Sequence, residues 1–169
     1  MSVSRSPQRI VRIAGLLAGI LLVCLALLLI PMHPSPEYAV ANYDELAKIV
    51  NGYCRLPEKD ALPGTDCSCF VYLKSRFSNK AVGYLLGFIP SDGCAKSMTV
   101  TCKALSELPE GQRSITPTET CGEIGMAAAQ DHLTFILEGC RYDIHGVGAA
   151  DGFLQTARSF AQSIAGARQ

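Results

Sequence analysis

Residues 13–30, IAGLLAGILLVCLALLLI, form eighteen consecutive positions without a charge, and they restrict what this 169-residue chain can become more than any other stretch. A helix rises about 1.5 Å per residue, so the run extends roughly 27 Å, close to the hydrocarbon thickness of a bilayer. Pro31, Pro34 and Pro36 follow at once, and proline, which lacks a backbone donor, ends a helix. The run therefore reads as a transmembrane signal-anchor helix. Arg5, Arg9 and Arg12 precede it, whereas the first basic residue after it is Lys48, behind Glu37, Asp44 and Glu45. Cationic flanks stay in the cytoplasm. The expected order is a cytoplasmic basic segment over 1–12, the anchor over 13–30, a Pro-rich linker over 31–41 and an extracytoplasmic Cys-rich domain over 42–169. The location that follows is the inner (plasma) membrane, single-pass, with the domain periplasmic or extracellular and membrane lipid the partner of residues 13–30.

Two alternatives export the same domain. Ala39-Val40-Ala41 has the form of a signal-peptidase site, but the apolar run exceeds the usual 7–15 residues of a signal-peptide core. Cys24 is preceded by Val23 and followed by six more apolar residues, which suits a small apolar side chain rather than a lipoprotein site. Gly15 and Gly19 make a single GxxxG, a weak signal for close packing of two anchors.

All fifteen acidic residues lie beyond residue 30, against twelve of the fifteen basic ones, so the exported part carries a formal charge of −3. That balance excludes nucleic acid as a partner. Seven cysteines lie there: Cys54, Cys67, Cys69, Cys94, Cys102, Cys121 and Cys140. In an oxidising compartment their default reading is disulfides, each contributing about 2–4 kcal/mol. Seven is odd, so the expectation is at most three bridges and one remaining thiol. Cys67 and Cys69 are too close in sequence to bridge one another without strain.

Patterning gives a coarse map. Asn42 or Asp44 caps a helix through about Tyr53, with Leu46, Ile49 and Val50 on one side. Phe70, Leu73 and Phe77 recur at helical spacing before Asn79, which predicts a second helix. Residues 81–89, AVGYLLGFI, read as a buried strand or short buried helix. KSMTVTCKAL alternates as a strand, with Met98, Val100 and Cys102 on one face. Thr116-Pro117-Thr118-Glu119 has the form of a helix start and predicts a helix to about Gln130. LTFIL, Glu138-Gly139 and CRYDIH predict a hairpin, and Phe153, Ala157, Phe160 and Ile164 mark a final amphipathic helix. The fold class expected is α+β, one small disulfide-stabilised domain of helices packed on a short antiparallel sheet.

Catalytic constellations are sparse. Cys67-Ser68-Cys69 is one residue short of the Cys-x-x-Cys spacing, and Asp66 beside it disfavours a thiolate. Cys67 and Cys69 with His132 or His145 supply metal-ligand types, but without the paired spacing of a metal site, so no metal and no cofactor are expected. Glu45 and Cys54, eight residues apart, resemble the opening of the Glu-x8-Cys/Asp-x5-Thr signature of phage lysozymes. Asp60 stands where the threonine belongs, and no glycine-rich hairpin follows, so the family is not assigned. No catalytic residue is nominated. The reading is a binding or accessory module for another envelope component, with a protein partner. The alternative is an anchored extracytoplasmic enzyme, thiol-disulfide or cell-wall hydrolytic.

Overall fold

The computed structural model describes residues 19–23, 36–62, 66–75 and 78–166. The chain divides into two compact units, residues 1–34 and residues 35–169. In the first, residues 19–23 are helical and Ile20, Leu21, Leu22 and Val23 are exposed. The basic segment 1–12, Cys24 and the rest of 13–30 lie outside the described residues. Among the described residues no helix is long and apolar enough to cross a membrane. The transmembrane anchor is thus corrected, and with it the single-pass membrane location. Absence of charge measures only the cost of hydrating a segment, whereas a span also needs about 20 residues of continuous helix.

The second unit is mainly a sheet. In chain order its elements are β1 (Glu37–Ala39), α1 (Tyr43–Val50), β2 (Asp66–Lys74), β3 (Ala81–Ile89), β4 (Ser97–Ala104), β5 (Glu119–Cys121), β6 (Ile124–Ala129), β7 (His132–Leu137), β8 (Cys140–Val147) and α2 (Phe153–Gly166). The strand order is β1-β2-β3-β4-β8-β7-β6-β5, with every neighbouring pair antiparallel. Two four-stranded meanders therefore meet at the β4–β8 seam, where eight residues pair from Ser97↔Val147 to Ala104↔Cys140. The expected α+β domain with a short sheet is corrected to an eight-stranded antiparallel sheet carrying a few short helices. The segment 31–41, read as a linker, contains β1.

The two misassigned helices fail for different physical reasons. Phe70, Val71 and Tyr72 are aromatic or β-branched and pair with Leu86, Leu85 and Tyr84 as part of β2; they pack well on a pleated surface, and that preference outweighs a short run at helical spacing. At 117–130 the capping signature is overridden by Gly122, whose φ of +61° starts a two-residue turn between the paired Cys121 and Ile124. Thr118 then serves the sheet instead of a helix, its backbone N–H bonding the Met126 carbonyl and its hydroxyl accepting from the Ala128 N–H. The 132–147 hairpin and the 153–166 helix match the patterning. Glu138 and Gly139, at φ +50° and +75°, make the turn between Leu137 and Cys140, the arrangement of a type I′ turn.

One face of the sheet is the core. Tyr84, Leu86 and Phe88 of β3, Met98, Val100 and Cys102 of β4, Tyr142 and Ile144 of β8, and Leu133 and Phe135 of β7 are all buried. Leu46 and Val50 of α1 and Phe153, Ala157, Phe160 and Ile164 of α2 join the same cluster. Phe88 meets Phe160 with ring centroids 5.9 Å apart, and Phe135 stacks on Tyr142 at 4.8 Å. α1 begins as a capping box: Glu45 N–H donates to Asn42 Oδ1 at 2.9 Å, and Glu45 Oε2 accepts from the Ala41 N–H at 3.0 Å.

Candidate metal centre

The row of paired residues Tyr84↔Cys102↔Tyr142↔Phe135 crosses the centre of the sheet on its covered face. Period-two alternation then fixes the second thiol. Cys140 lies two residues before Tyr142 on β8, opposite Ala104, and so points to the same side as Cys102. The third comes from the end of α1. The helix stops at Val50, whose carbonyl accepts from the N–H groups of both Tyr53 and Cys54, and this tight exit turns Cys54 down onto the sheet. The three Sγ atoms lie within 4.8 Å of one another. Cys54 and Cys140 are 3.7 Å apart, and the Cys140 thiol donates to the Tyr53 carbonyl at 3.4 Å.

Burial is nearly complete: Cys54, Cys102 and Cys140 are 5%, 0% and 3% exposed. The walls are held by Arg55. Its backbone N–H donates to the Tyr142 hydroxyl at 3.1 Å, and its carbonyl accepts from the Tyr84 hydroxyl at 2.9 Å. Its guanidinium bonds both carboxylate oxygens of Glu138 and the Ala165 carbonyl. One side chain thereby ties the loop after α1 to the β7–β8 turn and to the end of α2. A groove of about 600 Å³, bordered by Lys48, Asn51, Pro57 and Glu58, reaches Cys54.

The thiols titrate as a unit. Thiol hydrogen bonds from Cys102 and then Cys54 pull Cys140 down from the ordinary cysteine value, against the effect of burial. Burial, followed by the bonds to Cys140 and Cys54, pushes Cys102 up. For Cys54 the Cys102 hydrogen bond acts downward, but the Cys140 bond, burial and the Cys140 charge outweigh it and the thiol is raised. A negative charge on Cys140 is therefore favoured, and charges on Cys54 and Cys102 are opposed. Burial likewise raises Tyr84 and Tyr142, whose hydroxyls stay neutral.

The other cysteines are dispersed. Cys69 is half-buried on β2 opposite Gly87. Cys94 is buried ahead of β4, its N–H donating to Asp92 Oδ1 at 3.0 Å. Cys121 ends β5, and Gln162 Nε2 contacts its sulfur at 2.8 Å. The backbone of Cys67 belongs to β2, while its side chain lies outside what is described. Cys54, Cys94, Cys102, Cys121 and Cys140 are unbridged, which corrects the expected disulfide-stabilised domain. Counting thiols and knowing parity cannot reveal that three of them converge as a trio while the others sit apart.

Sequence spacing missed the cluster because its outer members are 86 residues apart and no two share a local motif. The usable signal was the single strand alternation that put Cys102 and, separately, Cys140 on core faces. The grouping of Cys67 or Cys69 with His132 or His145 does not form, since β3 and β4 separate β2 from the β7–β8 pair. His132 and His145 instead pair across β7 and β8 on the opposite face, each near Asp131 at 3.8 and 3.6 Å. Glu45, the acid of the lysozyme resemblance, is engaged in the α1 cap. Comparison with known proteins yields no match: no family model, no curated protein and no solved structure fits the chain.

Proposed function

We propose that this domain is a binding module whose ligand is a thiophilic metal ion held by Cys54, Cys102 and Cys140. The observation that carries this reading is the convergence of three buried sulfurs at spacings suited to a shared ion. A metal–sulfur bond of about 2.3 Å sets coordinated sulfurs roughly 3.7–4.0 Å apart, depending on geometry. The 3.7 Å between Cys54 and Cys140 falls on that edge length. Cysteine is also the ligand type that soft cations select, and the groove reaches one of the three, Cys54. Arg55 ties the loop that carries Cys54 to β8 and to the β7–β8 turn, part of the supporting layer that metal ligands need.

A thiol-disulfide enzyme is the weaker reading. Its nucleophile must meet a large substrate, yet the most acidic of the three thiols, Cys140, is 3% exposed. An accessory role toward a second protein remains within the proposal: a module that stores or presents an ion serves whatever takes it.

The test is equilibrium dialysis of the reduced full chain, under argon, against zinc, cadmium and cuprous ions in separate cells. One ion retained per chain, lost in both Cys54→Ser and Cys140→Ser but kept in Cys121→Ser, is the expected result. No retention of any of the three ions in a folded, reduced protein overturns the reading.

A further inference from the structure

We infer that the ion this site takes is monovalent copper in a low-coordinate, all-sulfur environment, in preference to zinc. The inference rests on the binding reading above and deepens it. Among the described residues the convergent ligand group consists of the three cysteines alone, with no histidine or carboxylate joining it. Zinc sites use four ligands: closed structural sites draw all four from protein, and catalytic sites leave the fourth to water. Neither arrangement is offered here. Sulfurs that are 5%, 0% and 3% exposed leave little place for a bound water.

The nearest oxygens do not fill the gap. The hydroxyls of Tyr84 and Tyr142 are engaged by the backbone of Arg55. The Tyr53 carbonyl, 3.4 Å from the Cys140 sulfur, is a neutral, hard donor that a soft ion disfavours. Cuprous ion has no need of it, since thiolates alone satisfy a soft monovalent cation.

Charge does not separate the two ions. Cys102 is flanked by its strand partners Tyr84 and Tyr142, with Phe135 stacked on Tyr142, and all of these side chains are buried. A low-dielectric wall penalises net charge. Two thiolates and one retained thiol around a cuprous ion leave a net charge of −1, the same as three thiolates around zinc. Coordination number therefore decides between them, and copper is the ion that tolerates three sulfurs or fewer.

No redox step is involved: the copper is supplied already reduced, and each thiolate formed on binding releases its proton to buffer. The sealed position also predicts a spectroscopic signature. Cuprous–thiolate centres shielded from water luminesce, and quenching by solvent is slow where the sulfurs are buried.

The experiment loads reduced full chain with zinc, titrates it anaerobically with cuprous ion buffered by a competing chelator, and counts both metals. Expected are displacement of zinc by one copper per chain, emission from the copper form, and an affinity about a hundredfold or more lower in Cys102→Ala. Cys102 lies at the centre of the sheet, so Cys54→Ser, on the loop, serves as the second variant, with circular dichroism confirming the fold of each. Zinc retained against excess cuprous ion overturns the copper assignment while leaving the binding module intact. Failure to retain either metal, or mass-spectrometric detection of a Cys54–Cys140 bond in the protein isolated under argon, overturns both.

Discussion

The two faces of the eight-stranded sheet solve opposite problems. On the covered face the paired row Tyr84, Cys102, Tyr142 and Phe135 is closed over by α1 and α2 and holds no charged side chain. On the other, the row Leu85, Thr101, Asp143 and Thr134 carries a charge network. Arg141 grips Asp143 through Nε and Nη2 at 2.9 and 3.0 Å, and its Nη1 reaches the Gln112 carbonyl. Thr134, only 2% exposed, donates its hydroxyl to Asp143 at 2.6 Å. Burial by itself does not make a core: Thr134 is as hidden as Phe88, yet it is held by a hydrogen bond and Phe88 by ring packing. The thiol trio belongs to the covered face. There, packing sets the positions of the sulfurs, and their polar contacts are with one another and with the Tyr53 carbonyl.

That contrast can be broken in stages. Gly83→Ala attacks what both faces share, because an added Cβ collides with the Cys102 carbonyl oxygen across β3 and β4. A strand pair forced apart by a backbone collision should lose the cooperative fold, so the variant is expected to be largely unfolded by circular dichroism at room temperature. Phe135→Ala removes half of the stack on Tyr142 and leaves a cavity on the covered face, at a cost of about 3–5 kcal/mol in urea denaturation. Thr134→Val on the other face keeps the shape but removes the donor to a carboxylate. A loss of about 1–2 kcal/mol is expected, and a cost as large as that of Phe135→Ala would erase the distinction drawn here.

Smaller effects lie at the rim. Asp92 accepts from the Cys94 N–H and, at 2.7 Å, from the Thr156 hydroxyl, and these bonds hold its carboxyl below the usual range. A depressed folded value means that the stabilisation is present above the unfolded pKa of about 3.9 and is lost as pH falls through the folded one. Asp92→Asn should flatten that acid limb and leave neutral stability within about 1 kcal/mol. Smallest is Arg158→Ala, which removes a partly exposed ion pair with Glu119. Its cost should be under about 1 kcal/mol and should fall further in high salt.

How much of this was legible in the residues varies by element. β4 and the β7–β8 hairpin announce themselves by alternation, because one face is wet and the other packed. α2 does so through Phe153, Ala157, Phe160 and Ile164. β2 and β5–β6 do not. Phe70 and Leu73 fit either period, and Thr116 to Glu119 satisfies the local rules for a helix that tertiary pairing overrules. The seven cysteines beyond residue 30 were visible from the start, but convergence is a property of topology: only the return of β8 beside β4 brings Cys140 to Cys102. Asn42 was named as a cap and acts as one, the kind of interaction that needs only its near neighbours.

The β7–β8 turn carries a consequence beyond its own geometry. Glu138 occupies a left-handed conformation that glycine adopts more easily, and from there its carboxylate anchors Arg55. The tie between the loop after α1 and this turn is thus fastened by a partly exposed ion pair, 21% and 46% exposed on its two sides. Ionic strength and acidity then act on this exterior tie rather than on the strand pairing beneath it. The loop that carries Cys54 is the part of the covered face whose placement depends on a solvent-facing charge pair.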